Sequence, residues 1–208
     1  MGLSIHYSGR FNSSACLRDM VDEITDIVNT FRWPFEVYRS EFPTLNFSEE
    51  HDENFYGMSF TPPGCETVFL CFLSNGRMTS PLSVQFFKHS QDPEERQLMY
   101  YLSVKTQYAG IDVHRTIIRL FRHIRQNYLT EFEMVDEGKF WETNDEAVLK
   151  DMFERYDSII NELRNAFENS TMVEGETAEE YVERIMRTKL KHPGSAGNGF
   201  EINVKRVG

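Results

Sequence analysis

The sequence is short of nearly every feature by which a function is usually recognised. It has three cysteines, Cys16, Cys65 and Cys71, an odd number with no C-x-x-C pair, which argues against a disulfide framework and paired zinc spacings and suits a reducing cytoplasm. No window approaches the roughly 20 apolar residues of a membrane span, and MGLSIHYSGR lacks the basic start and apolar run of a secretory signal. Gly2 does not complete a myristoylation signal, because His6 stands where Ser or Thr is required. Gly-rich phosphate loops, a nucleophile elbow, a Walker lysine and H-E-x-x-H are all missing, so no cofactor is expected. Positive charge is scarce as well: 22 Lys and Arg stand against 33 Asp and Glu, a formal net charge of −11. A surface of that sign repels phosphate backbones, which disfavours nucleic acid as a partner.

What is present is apolar volume. Hydrophobic residues make up 40% of the 208 residues and aromatics 13%, with 17 Phe, enough to fill one sizeable core without metal or disulfides. Leu3, Ile5 and Tyr7 alternate with Ser4 and His6, as in a half-buried strand with His6 facing out. From Ser14 to Phe31 the set Leu17, Val21, Ile24, Ile27, Val28 and Phe31 has helical spacing and an acidic opposite face. WPFEVYR returns to strand content, and Pro34 confines that strand to an edge or a start. Tyr56–Phe60, Thr67–Leu73 and Leu82–Phe87 read as short strands of an antiparallel meander, with Asn75-Gly76 supplying a tight turn. VFLCFL, apolar on both faces, marks a central strand. A strand over Tyr100–Thr106, a helix over Ile111–Tyr128, a strand over Glu131–Val135 and helices over Asn144–Phe167 and Ala178–Leu190 follow.

The segments LSIHYSG…FEV and LSVKTQYAG…FEM, each a strand, a helix and a strand, suggest two β-α-β halves. The expected architecture is α+β and two-layered: one mostly antiparallel sheet with helices on one face, plus a C-terminal helical pair. Residues 1–190 form the expected domain, with sheet and packing helices in 1–136 and helices in 144–190. Residues 191–208 read as a Gly-rich linker and a short strand or tail.

One stretch concentrates acids and aromatics: DEGKFWETND, Asp136 to Asp145. Thr143-Asn144-Asp145-Glu146 has the form of a capping box, repeated at Thr177–Glu180, which assigns some acids to helix starts. Asp136, Glu137 and Glu142 are left beside Phe140 and Trp141. A structural turn accounts for them; the alternative is a site where buried aromatics raise a carboxyl pKa, with His114 as partner. The histidines have no ligand spacing, and a metal would need separate elements, such as His6, His114 and Asp136. Arg115, Arg119 and Arg122 fall at i, i+4 and i+7 on one helix of an acidic protein. Either they are a solvated face paired with acids of the 144–167 helix, or they dock an acidic protein surface.

MGLSIHY, KTQYAG followed by the helix with His114, and DEGKFWETND together resemble a small group of uncharacterised bacterial proteins over most of residues 1–167. The resemblance implies a bacterial, cytoplasmic chain and carries over no activity or site residues. The leading expectation is a non-enzymatic protein-binding module, with Arg115, Arg119, Arg122 and Trp141 as binding candidates. The alternative is a small, hydrolytic enzyme acting through Asp136, Glu137, Glu142 or His114.

Overall fold

The computed structural model describes residues 2–48 and 50–190; the strand or tail expected over 191–208 lies outside the described residues. The chain divides into two compact units, Met1–Tyr156 and Asp157–Gly208.

In the first unit the α+β expectation holds, but the strands form two antiparallel sheets instead of one. One has the order β6-β1-β7, from Leu102–Lys105, Ser4–Phe11 and Leu129–Asp136; the other is β2-β3-β4-β5, from Phe35–Val37, Tyr56–Phe60, Val68–Phe72 and Met78–Thr79. The two β-α-β segments are therefore not equivalent: β1 leads through helix α1 (Leu17–Phe31) into the second sheet, whereas β6 leads through helix α4 (Ile111–Tyr128) back beside β1. Helix α1 buries Leu17, Met20, Val21, Ile24 and Val28, one stripe of its surface, and α4 buries Ile117, Phe121 and Ile124 along with His114. The apolar face of β1, Ile5 and Tyr7, is covered by these helices in a core continuous with Met58, Leu70 and Phe72 of the second sheet.

Tyr7 also joins the sheets by hydrogen bonds. Its hydroxyl donates to the Phe69 carbonyl at 3.1 Å and accepts the Phe69 N–H at 3.0 Å, filling the place of a neighbouring strand on the side of β4 where, further along, β5 pairs with Cys71 and Phe72. Burial pushes the Tyr7 phenol pKa upward, so it serves as a neutral hydroxyl. Where β1 runs past β6, Phe11 N–H bonds Gly76 C=O at 2.7 Å, and Gly76 takes the positive φ of 75° that the Asn75-Gly76 turn demands.

The strand expected over Leu82–Phe87 is a helix, α2 (Pro81–Phe87). Ser80 caps it by accepting the Ser83 N–H at 3.0 Å, and Pro81 takes the first helical position, where its missing N–H costs nothing. A further short helix, α3 (Pro93–Gln97), was not visible in the hydrophobic pattern because none of its residues is buried.

Short helix α5 (Phe140–Thr143) leads into α6 (Glu146–Glu168), which crosses the boundary between the units. In the second unit the end of α6 is followed by α7 (Ala178–Leu190). The expected capping box is present at its start: Glu180 N–H bonds Thr177 Oγ1 at 3.2 Å, and Glu180 Oε2 accepts the Thr177 N–H at 2.9 Å. The turn before it is held by Arg184, which grips both oxygens of Glu176 at 2.7 and 2.9 Å. That fork, aided by the Val173 N–H, lowers the Glu176 carboxyl to about 2. Among the described residues no helix is long and apolar enough to cross a membrane.

Candidate functional site

The pairing of β1 decides where the acidic stretch goes. Ser4 faces Lys105 of β6 and Ile5 faces Asp136 of β7, so Thr106, just after β6, and Asp136, the last residue of β7, arrive at the same end of β1. His114, in the first turns of α4, fits between them. Its Nδ1 lies 2.7 Å from Thr106 Oγ1 and its Nε2 3.0 Å from Asp136 Oδ1, the latter out of line with a good hydrogen bond. All three residues have 0% exposure.

Asp136 is also the anchor of the turn. Oδ1 accepts the Gly138 N–H at 2.7 Å, and Oδ2 accepts those of Phe140 and Trp141 at 2.8 and 2.9 Å, capping α5. Burial alone would raise the carboxyl pKa. His114 and the N–H groups of Trp141 and Gly138 outweigh it, and the pKa is lowered. Gly138 is required for a steric reason: a Cβ there would sit 2.8 Å from both His114 Nε2 and Leu149 Cδ1.

The other acids are employed in the same way. Glu137 accepts the Ser4 N–H at 2.7 Å and lies 3.6 Å from His6 Nε2; Glu142 accepts the Asp136 N–H at 3.3 Å. The stretch from Asp136 to Asp145 is thus a helix entrance built of carboxylates on backbone donors. A hydroxyl, an imidazole and a carboxylate do stand in series, the order used by hydrolases, but Thr106 has no surface from which to attack a substrate. His6 turns to Glu137 and not toward His114, and among the described residues no group of three or more metal-ligating side chains forms. Cys65 and Cys71 are pushed up to about 12, mainly by burial, which leaves both as thiols.

The capping box expected at Thr143 is not formed. Asp145 caps α6, its Oδ1 accepting the Ala147 N–H at 2.8 Å, while Thr143 donates to the Lys139 carbonyl at 2.6 Å and accepts the Asp145 N–H at 3.2 Å. Asn144 takes the left-handed φ of 54° at the end of α5, which inserts a break the sequence motif did not allow for. Glu146 is then free to meet the arginines.

It does so. Arg115 reaches Glu146 at 2.7 Å and Asp112 at 2.8 Å, and Arg119 reaches Glu146 at 3.4 Å. Arg122 donates to the carbonyls of Phe140 and Trp141 at 2.8 and 3.1 Å and to Asn144 Oδ1. The row ties α4 to the α5–α6 entrance. Arg125, one turn on from it, lies 5.7 Å over the Trp141 ring. Arg122, Arg125, Gln126 and Trp141 line a shallow, open hollow of about 450 Å³.

The second hollow, of about 460 Å³, lies at the edge of the four-stranded sheet. Its floor includes Glu36, Ser59, Thr61, Thr67 and Phe69, and Leu82 and Gln85 of α2 form its wall. Helix α1 ends beside it in a Schellman turn, with Arg32 N–H on Asn29 C=O at 3.0 Å and Trp33 N–H on Val28 C=O at 2.9 Å. That turn stacks Phe31 on Trp33 at 4.7 Å and delivers the chain into β2. Thr61 N–H bonds Pro34 C=O and Tyr38 N–H bonds Gly57 C=O, at 2.8 and 2.9 Å. Those bonds bracket the pairs Phe35–Phe60 and Val37–Met58, so Glu36 spends its backbone groups on Ser59 while the N–H and C=O of Phe35 and Val37 point outward. Phe31, Phe35 and Val37 are 49%, 40% and 41% exposed. In the sequence, Pro34 allows β2 to be an edge strand or a strand start, and nothing there marks it as a site.

The fold and this geometry define an α+β protein whose conspicuous acids build structure and whose open features are a sheet edge and an arginine hollow. No protein family, curated protein or solved structure matches the chain.

Proposed function

We propose that the protein is a non-enzymatic, cytoplasmic, bacterial module that binds another protein. The observation that carries this reading is the exposed edge of β2, where the outward backbone groups of Phe35 and Val37 lie among apolar side chains that are about half uncovered. The series of hydroxyl, imidazole and carboxylate is, in contrast, enclosed: Thr106, His114 and Asp136 have no exposed surface. Of the acids left to a hydrolytic enzyme, Glu137 and Glu142 reach solvent, and both are spent on backbone N–H groups, with His6 3.6 Å from Glu137. Nucleic acid fits poorly with a net charge of −11.

An acidic protein surface is the partner suited to the arginine hollow. Since Arg115, Arg119 and Arg122 are engaged at home, Arg125 beside Trp141 would carry most of that attraction. Arg119→Glu should then change stability by no more than about 1 kcal/mol and leave capture intact, whereas Arg125→Glu should weaken it, the more so at low salt.

The test of the whole reading is capture of host proteins by cross-linking, compared between wild type and an equally folded Phe35→Asp, alongside assays with ester, phosphoester and peptide substrates. Selective loss of captured species in the variant, with no turnover, is the expected result. Turnover abolished by Glu137→Gln would overturn it.

A further inference from the structure

We infer that the outer edge of β2 accepts an extended segment of a partner protein in which one basic residue stands between two apolar ones. This rests on the protein-binding reading above and assigns it a surface and a chemistry. The edge offers four backbone groups, the N–H and C=O of Phe35 and of Val37, at the spacing of an alternating ladder. A strand added there has its side chains fixed in register by that ladder, because neighbours along a strand point to opposite faces. The residues next to Phe35 and Val37 meet the face that carries Phe31 and Trp33, and there they are apolar. The residue between them lies across from Glu36, on the face of the hollow floored by Ser59, Thr61 and Thr67. Glu36 is the charged residue among the side chains lining that hollow, so the opposing position takes Lys or Arg.

A second copy of this chain is the poorer occupant. Antiparallel self-pairing through Phe35 and Val37 sets Glu36 directly across from Glu36, a like-charge pair that is unfavourable in a sheet, between two molecules that each carry −11. A strand of three residues also buries far less than the roughly 1,200 Å² of a stable interface. A flexible segment with a complementary charge avoids both objections.

The test is selection of seven-residue peptides from a random library on the whole protein, followed by synthesis of the enriched peptides and amide mapping by NMR. Enrichment of apolar–Lys/Arg–apolar patterns, with slowed exchange of the Phe35 and Val37 amides on binding, is expected. Glu36→Lys should weaken those peptides about five- to tenfold, the scale of one reversed cross-strand charge pair, and should select acidic-centred peptides instead. Val37→Pro, which removes an outward N–H and leaves the bonds to β3 in place, should abolish binding; should it not fold, Glu36→Lys decides alone. Enriched peptides that leave the Phe35 and Val37 amides unchanged would overturn the edge assignment while leaving the protein-binding reading intact. So would a library that yields no enrichment, or a free protein that sediments as a dimer with those amides protected. The reading itself falls separately, on the turnover assays.

Discussion

His114 Nε2 lies 3.0 Å from Asp136 Oδ1, and neither side chain reaches solvent. Removing the imidazole is costly, because the buried carboxylate keeps its backbone N–H donors but loses the imidazole beside it, and a cavity opens between Thr106 and Asp136. His114→Ala is expected to lower stability by about 3 to 5 kcal/mol, read as a shift of the denaturant midpoint. A loss under 1 kcal/mol would mean that the pair opens to water in solution.

The same pair sets an acid limit. The Asp136 carboxyl pKa is lowered in the folded protein, so its contribution is fully present above the unfolded carboxyl pKa, about 3.9, and is lost as pH falls through the lower folded value. The stability gap between wild type and Asp136→Asn should be constant from pH 7 to about 5 and should narrow below about pH 4. A gap that widens on acidification would contradict the lowered pKa.

Capping of α6 belongs to Asp145 and not to Thr143. Asp145→Ala should cost about 1 kcal/mol, and Thr143→Ala clearly less, since its hydroxyl serves the short α5–α6 corner. Thermal denaturation of both variants ranks them, and the reverse order would restore the capping box.

Tyr7→Phe keeps the ring in the core but leaves the Phe69 N–H and C=O without their hydroxyl. The expected loss is about 1 to 3 kcal/mol with little change in denaturant slope. No loss would show that water replaces the hydroxyl at the seam between the sheets.

Much of the fold was legible because burial imposes a period. Ile5 and Tyr7 alternate with outward His6, and Leu17 through Val28 recur at helical spacing, so β1 and α1 could be read directly. Leu82 and Phe86 misled because they are 59% and 68% exposed: their apolar character reflects no core contact, and Ser80-Pro81 was the truer signal. The split into two sheets depends on which strand lies beside β1, a long-range choice that local pattern does not encode. At the site, the stretch DEGKFWETND stands out in the sequence, and a partnership of Asp136 with His114 is open there only as the alternative to a structural turn. Of the two accounts of its acids, the structural turn is the one the hydrogen bonds support, and which backbone N–H groups each carboxylate takes is settled by the register of β7 on β1. The Arg115, Arg119 and Arg122 row was seen together with its acidic neighbours, of which Glu146 proved to be one.

Amide exchange along β2, measured residue by residue in the free protein, tests the central claim that this edge is open. Glu36, bonded inward to β3, should exchange slowly, whereas Phe35 and Val37 should exchange at nearly the rate of an unprotected chain. Equal protection of all three amides in the isolated monomer would mean that the edge is already covered, and the proposed binding surface would not exist.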